Sequence, residues 1–384
     1  MKVSADPKPS NIQMVDLVTQ YRGIEDEVRE AFDRIIQSAS FIGGSEVEQF
    51  QKGLEAYLDV RSVIPCANGT DALQIALMAL KLKPGDEVIV PAFTFIASVE
   101  VIALLGMIPV VCDVDRDTFN MNVDQLESLI TPKTRAILPV HLFGQCCEMD
   151  QIMSIARKHN LYVVEDNAQS IGAKYTSSNG ETHSAGAIGD IGTLSFYPSK
   201  NLGAYGDAGA IYTNHVELGA LIKSICNHGM TRRYYHDHIG VNSRLDAFQA
   251  AVLNIKLKHL DTYTAHRVAA ADMYDRLLEG IEKVQCPVRF TKSTHIFHQY
   301  TIQVPAEDRE RLQEYLKSHG IPTMIYYPVP LQEQKAFQGV IKTPVSLDVT
   351  SELCKTVVSL PMHSELDAVQ VEYICDHIRE FFQA

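Results

Sequence analysis

The chain has 384 residues, 46% of them apolar, and a net charge of −13. That length exceeds a typical single-core domain and suits two packed domains, and the apolar content excludes intrinsic disorder. The acidic balance argues against a nucleic-acid partner, which needs a basic stripe. It also requires any phosphate site to be locally basic or built from backbone N–H groups.

The predicted elements follow in order. Residues 24–36 carry a helical stripe of Ile24, Val28, Ala31, Phe32, Ile35 and Ile36. Ser45 is placed to cap a second helix with an inner face of Val47, Phe50, Leu54, Tyr57 and Leu58. An alternation then begins. Strands are expected at 63–66, 87–90, 108–112, 135–140 and 161–165, with helices at 72–80, from about 95, at 123–130 and at 149–159. Repeated strand–helix units of this length imply right-handed crossovers and a mostly parallel sheet covered on both faces. Past Gly189, residues 192–197 and 208–213 read as paired strands. Residues 245–278 read as a long helix carrying the chain out of the large domain. A strand at 300–304 and helices at 307–319 and 368–382 fit a smaller α+β domain. The expected division is 14–255 and 256–384.

Eight cysteines are present and only Cys146 and Cys147 are adjacent. With no CxxC pair and no Cys/His ligand spacing, no metal is expected, and the thiols read as buried and reduced, as in a cytoplasmic protein. Residues 1–20 lack a leader-like apolar core. Residues 97–111, the most apolar stretch, are broken by Glu100, Gly106 and Pro109, so no membrane span is expected.

In open parallel sheets, ligands bind beyond the carboxyl ends of the strands. Asn68-Gly69-Thr70-Asp71 joins a strand to a helix there. It suits either a phosphate held on helix N–H groups or an ordinary cap by Asn68 or Thr70. Phe95, in Pro91-Ala92-Phe93-Thr94-Phe95, is either a core aromatic or a platform for a planar ring. Asp166, in Glu165-Asp166-Asn167-Ala168-Gln169, either caps a turn or partners a protonated pyridine nitrogen. The run from Ser195 to Gly203 holds one lysine, Lys200, in a serine- and glycine-rich loop. Taken alone, Lys200 is either a solvated loop lysine or a catalytic amine. Residues 228–244 form a basic island with Arg232, Arg233 and Arg244. Their guanidinium forks match phosphate and carboxylate groups. The His236-Asp237-His238 run within it is too small a ligand set to argue for a metal.

The ordered set NGTDAL, PAFTF, EDNAQ, SFYPSKNLGAYGDAGA and NSRLDAFQAAVL resembles the DegT/DnrJ family of sugar aminotransferases, over nearly the whole chain from about Met14. The resemblance implies an α/β fold of the aspartate-aminotransferase-like class, fold type I, and pyridoxal 5'-phosphate as cofactor. It implies Lys200 as the Schiff-base lysine and Asp166 as the pyridine-nitrogen partner, with Gln169 against the ring and Phe95 stacked on it. Gly69, Thr70 and Ser195 then contact the phosphate. Asn242 and Arg244 are expected to reach the neighbouring subunit's site, toward phosphate and substrate respectively, so a homodimer with shared sites is implied. Tyr326-Tyr327-Pro328 stands where many members have His-Tyr-Pro. Tyr326 and Tyr327 are therefore expected at the substrate, with the contact at position 326 altered.

The implied reaction moves an amino group, with L-glutamate as donor, to a nucleotide-linked keto sugar. The stretches ANGTDALQIAL, HLFGQCCEMDQI and HGMTRRYYHDHIGVNSRLD look most like members acting at C3 of a UDP-linked N-acetyl-hexuronic acid, which points to lipopolysaccharide O-antigen biosynthesis. Alternatives of the same class are C4 or dTDP-3-keto-6-deoxy-sugar amination. A sugar dehydratase on this fold would carry histidine at position 200. An alternative of another class is a regulatory paralogue that binds without turnover, against which Lys200, Asp166 and Gln169 argue together.

Overall fold

A computed structural model describes residues 11–383. Seven strands form the central sheet: β1 (Ser62–Cys66), β2 (Glu87–Pro91), β3 (Ile108–Cys112), β4 (Thr134–Ile137), β5 (Tyr162–Asp166), β6 (Ile191–Ser195) and β7 (Gly209–Thr213). Their spatial order is β1-β7-β6-β5-β4-β2-β3. Only β7 runs antiparallel to its neighbours, β1 and β6; the pairs from β6 to β3 are parallel.

The near-continuous apolar runs of these strands are the mark of a sheet covered on both faces. In β2, Val88 and Val90 point into one core with apolar residues of helices α3 (Gly69–Ala79), α4 (Ala97–Leu104) and α6 (Val216–Cys226). Ile89 points into the opposite core with Met149, Ile152 and Ala156 of helix α5 (Met149–His159). Helices α1 (Glu25–Ser38) and α2 (Ser45–Leu58) both pack on the long helix α7 (Ala247–Leu278). This is the architecture of fold type I.

The expected elements are present with small changes. The cap of α2 is Gly44 rather than Ser45, which is the first helical residue, and no side chain caps that end. The 123–130 helix begins as a 3-10 turn at Val123–Gln125 before a short α segment. The fourth strand ends at Ile137, where Pro139 makes the chain leave the ladder.

Helix α7 is 32 residues long and contains the position of the expected 255/256 division. Its C-terminal half joins the antiparallel pair β8 (Tyr300–Gln303) and β9 (Val357–Leu360), together with α8 (Ala306–Ser318) and α9 (Ala368–Gln383), in a separate core. Residues beyond 255 also return to the sheet. Leu331, Phe337 and Leu353 enter the core of α3 and α4. Lys342 donates its backbone N–H to Pro109 and covers the β3 edge, while its ammonium meets buried Glu87 at 2.6 Å.

Two cations on α7 are buried and have no carboxylate partner among the described residues. Lys256 is 1% exposed and donates to the Gly203 carbonyl at 2.9 Å. Arg267 is 4% exposed and donates to the carbonyls of Phe297 at 3.1 Å and Met362 at 3.0 Å. Burial pulls the Lys256 ammonium down to about 8 and the Arg267 guanidinium down to about 10.

Candidate active site

A cleft of about 700 Å³ opens at the carboxyl ends of β1, β5 and β6, a size suited to a bound small molecule. Lys200, Asp166, Gln169, Phe95, Gly69, Thr70, Ser195, Tyr326 and Tyr327 all line it. Asn242 and Arg244 do not. Both are exposed, and Arg244 donates to the Asn227 side chain at 3.0 Å.

One end of the cleft is a turn built for close approach. Asn68 caps α3, its Oδ1 accepting the Asp71 N–H at 2.8 Å, as the capping reading expects. Gly69 follows. A Cβ there would lie 2.6 Å from the Ser195 Cβ, and one on Gly209 would lie 2.4 Å from the Asn68 carbonyl oxygen. Only glycine lets this turn sit against the ends of β6 and β7. Gly69 and Thr70 at the start of α3 thereby line one concavity with Ser195.

Asp166 ends β5 and is 5% exposed. Its Oδ2 accepts the hydroxyl of Ser98 at 2.8 Å and its Oδ1 accepts the Ala168 N–H at 3.1 Å. Both bonds fix its rotation. The preceding Glu165 points to the other side of the strand. There it accepts N–H groups of Gly186 at 3.0 Å and Ile188 at 2.7 Å, and meets His141 Nε2 at 2.8 Å. His141 Nδ1 accepts the Cys147 N–H at 3.2 Å, which assigns the proton to Nε2. The His141 N–H also donates to the Asp166 carbonyl. The acid at the sheet end is thus braced from behind.

Gln169 is held by Phe143 and Tyr327. Its Oε1 accepts the Phe143 N–H at 2.9 Å, and its Nε2 donates to the Tyr327 hydroxyl at 3.2 Å. Phe143 sits in the left-handed region at φ 56°, a conformation costly for a bulky residue and held here by its surroundings. The Phe95 ring is 53% exposed and lies 6.3 Å from the Tyr327 ring, so a face is free for stacking. Burial raises the Tyr327 phenol above its ordinary value, which keeps it a neutral hydroxyl.

Lys200 follows β6 in a tight loop. Burial pulls its ammonium down to about 8, and the Asp166 carboxylate works in the opposite direction. An amine poised this near neutrality can act as nucleophile or base. His298 lies beside it, its Nδ1 donating to Asn201 Oδ1 at 3.1 Å. Burial, with Lys200 and Arg267 nearby, holds this imidazole neutral. Ser98, His141 and His298 were not singled out by the sequence. Their signal was position alone, since His141 follows β4 just as the other site residues follow their strands.

Residues 22–379 match the DegT/DnrJ/EryC1/StrS aminotransferase family. The chain belongs to that family. Among its relatives is a UDP-2-acetamido-2-deoxy-3-oxo-D-glucuronate aminotransferase of Pseudomonas aeruginosa, 42% identical over 95% of this chain and 98% of that one. A pleiotropic regulatory protein of Geobacillus stearothermophilus is 44% identical over 97% of this chain and 99% of that one. The solved structure of NtdA from Bacillus subtilis, with bound cofactor PMP, superposes with a TM-score of 0.91 at 30% identity, covering 99% and 87% of the two chains.

This member of the DegT/DnrJ/EryC1/StrS family is a pyridoxal-phosphate-dependent aminotransferase. The cleft fits the cofactor. The glycine-lined turn leaves room for a phosphate, a carboxylate stands at the sheet end, an aromatic face is open, and one poised amine faces them. The eight cysteines are free thiols. Among the described residues no cluster could hold a metal and no helix is long and apolar enough to cross a membrane. In the His236-Asp237-His238 run, His236 Nδ1 instead bonds to the His228 carbonyl and Asp237 to the Thr231 hydroxyl.

Proposed function

We propose that the protein transfers an amino group from L-glutamate to the 3-keto form of UDP-N-acetyl-glucosaminuronic acid, within cytoplasmic steps of bacterial lipopolysaccharide O-antigen synthesis. The observation that carries the reading is the poised Lys200 amine in one cleft with Asp166, Gln169 and the Gly69 turn. Pyridoxal phosphate supplies an electron sink that acidifies the C–H bond beside the amine being moved.

The chain's residues do the rest. The Asn68–Thr70 turn and Ser195 would hold the phosphate. Phe95 would supply the stacking face for the ring and Gln169 a contact on its other side. The Asp166 carboxylate would partner the ring nitrogen and favour its protonated form. Lys200 Nζ would be the point of attachment for the cofactor and, once displaced by the incoming donor amine, would be free to take a proton as base and return it as acid. Tyr326 and Tyr327 face the sugar. In this reading, residues 14–255 hold the cofactor and 256–384 form the small domain.

The keto sugar and nucleotide follow from the Pseudomonas relative's substrate and from the arginines of residues 228–244. A C5 carboxylate would meet Arg244 bidentately. The exposed placement of Asn242 and Arg244, outside their own cleft, supports a homodimer in which each subunit completes the other's site. Exposed Tyr234, Tyr235 and Ile239 beside them support a covered face. The decisive experiment offers glutamate with a panel of keto nucleotide sugars. Turnover of the 3-keto uronate is expected above that of C4-keto and dTDP-3-keto-6-deoxy sugars. Equal rates with and without the uronate carboxylate would overturn the substrate reading and leave the aminotransferase reading intact.

A further inference from the structure

We infer that Ser243 is a positioning residue for the phosphate end of the site, and that it acts by holding the Asp71 carboxylate away from it. The inference rests on reading the Asn68–Thr70 turn as the phosphate cradle. Asp71 lies in the first turn of α3, directly after Thr70. A carboxylate there suits the helix dipole, but it would compete with, and repel, a phosphate bound to the same N–H groups.

The geometry turns it aside. Gly69, Thr70 and Leu73 line the cleft and Asp71 does not. Its Oδ2 accepts the Ser243 hydroxyl at 2.6 Å. Ser243 is 1% exposed, and its oxygen accepts the Ala67 N–H at 3.0 Å. One buried hydroxyl therefore ties both the carboxylate and the backbone entering the turn. Ser243 is itself anchored, since its N–H donates to the Cys226 carbonyl at 3.0 Å and the Val241 N–H to Ile225 at 2.8 Å. From the opposite side Gly69 rests on Ser195, so the turn has no room to recede from a carboxylate that swings inward. The exposed neighbours Asn242 and Arg244 make none of these contacts.

The test compares pyridoxamine 5'-phosphate with pyridoxamine, two ligands that form no covalent bond to Lys200 and differ only in the phosphate. Their dissociation constants are measured by calorimetry on the full-length protein after its cofactor has been removed. Wild type is expected to prefer the phosphorylated ligand. Ser243→Ala should lose about tenfold of that preference while binding pyridoxamine unchanged. Adding Asp71→Asn to Ser243→Ala should restore it, because the amide carries no charge to repel the phosphate. Equal weakening of both ligands would mark Ser243 as merely structural and overturn the inference, as would an unchanged ratio or a double variant without recovery. Should Ser243→Ala not fold, Asp71→Asn alone must hold or raise the preference, and a fall overturns the inference. A wild type without phosphate preference refutes the cradle reading itself, and this inference with it.

Discussion

The amine of Lys200 offers a direct measure of how far the fold prepares it. With its ammonium at about 8 rather than 10.5, the neutral fraction at pH 7 is about one in eleven. For an unperturbed lysine it is roughly one in three thousand, so the loop raises the reactive fraction about 300-fold. The sign follows from the cause. Burial disfavours the cation, and the Asp166 carboxylate partly offsets this. In the cofactor-free protein, the rate of combination with pyridoxal 5'-phosphate, followed by stopped-flow absorbance, should therefore rise with pH around a midpoint of about 8. Asp166→Asn should move that midpoint downward, because the variant keeps the burial and removes the one charge that favours the cation. Folding linkage gives a second check. A base depressed in the folded state costs stability below about pH 8, and the cost fades between about 8 and 10.5, where only the unfolded lysine is protonated. Lys200→Met should remove this part of the stability profile. A midpoint near 10, or an upward shift in Asp166→Asn, would refute the reasoning.

Two further outcomes follow from geometry. Gly69→Ala places a carbon 2.6 Å from the Ser195 Cβ, about 1 Å inside normal contact, so it should cost roughly 1–3 kcal/mol in denaturant unfolding and weaken cofactor binding by one to two orders of magnitude. Adding Ser195→Gly removes the atom in the way and should recover the lost stability; no recovery would mean that the turn is not held by this contact. If the sites are shared as proposed, Lys200→Ala and Arg244→Ala should each be inactive alone with a carboxylate-bearing substrate. Co-refolded in equal amounts, they should regain about a quarter of wild-type activity, since mixed dimers contain one site with both residues intact. No regain would show that Arg244 does not act across subunits.

Local periodicity made most of the fold legible. Helix α5 was bounded to the residue, because Met149, Ile152 and Ala156 form an uninterrupted buried stripe. Helix α6 has no such stripe. Its buried face includes Gly219 and Ser224, with Gly219 pressed on the Ser62 side chain. Strand β9 begins where the preceding helix ends, with no turn residue between them. In the site, the residues that follow strands were legible from the sheet rule and from the ordered motifs. The residues that hold them were not. Ser98 lies 68 positions from Asp166, His141 lies 24 from Glu165 and Ser243 lies 172 from Asp71. No local pattern encodes such pairings, because each partner is chosen by the way the chain returns to the sheet.

Lys256 and Arg267 are eleven residues apart on α7, which is three helical turns with about 20° to spare, so they sit one above the other about 16 Å apart. One anchors the loop of Lys200 through Gly203, the other both the segment bearing His298, through Phe297, and the chain after β9, through Met362. The helix between them works as a ruler with two fixed marks. Inserting or deleting a single residue there would swing one mark by about 100° relative to the other and strand a buried cation away from its carbonyls. Length variation in residues 257–266 should therefore be far less tolerated than substitution at the same positions.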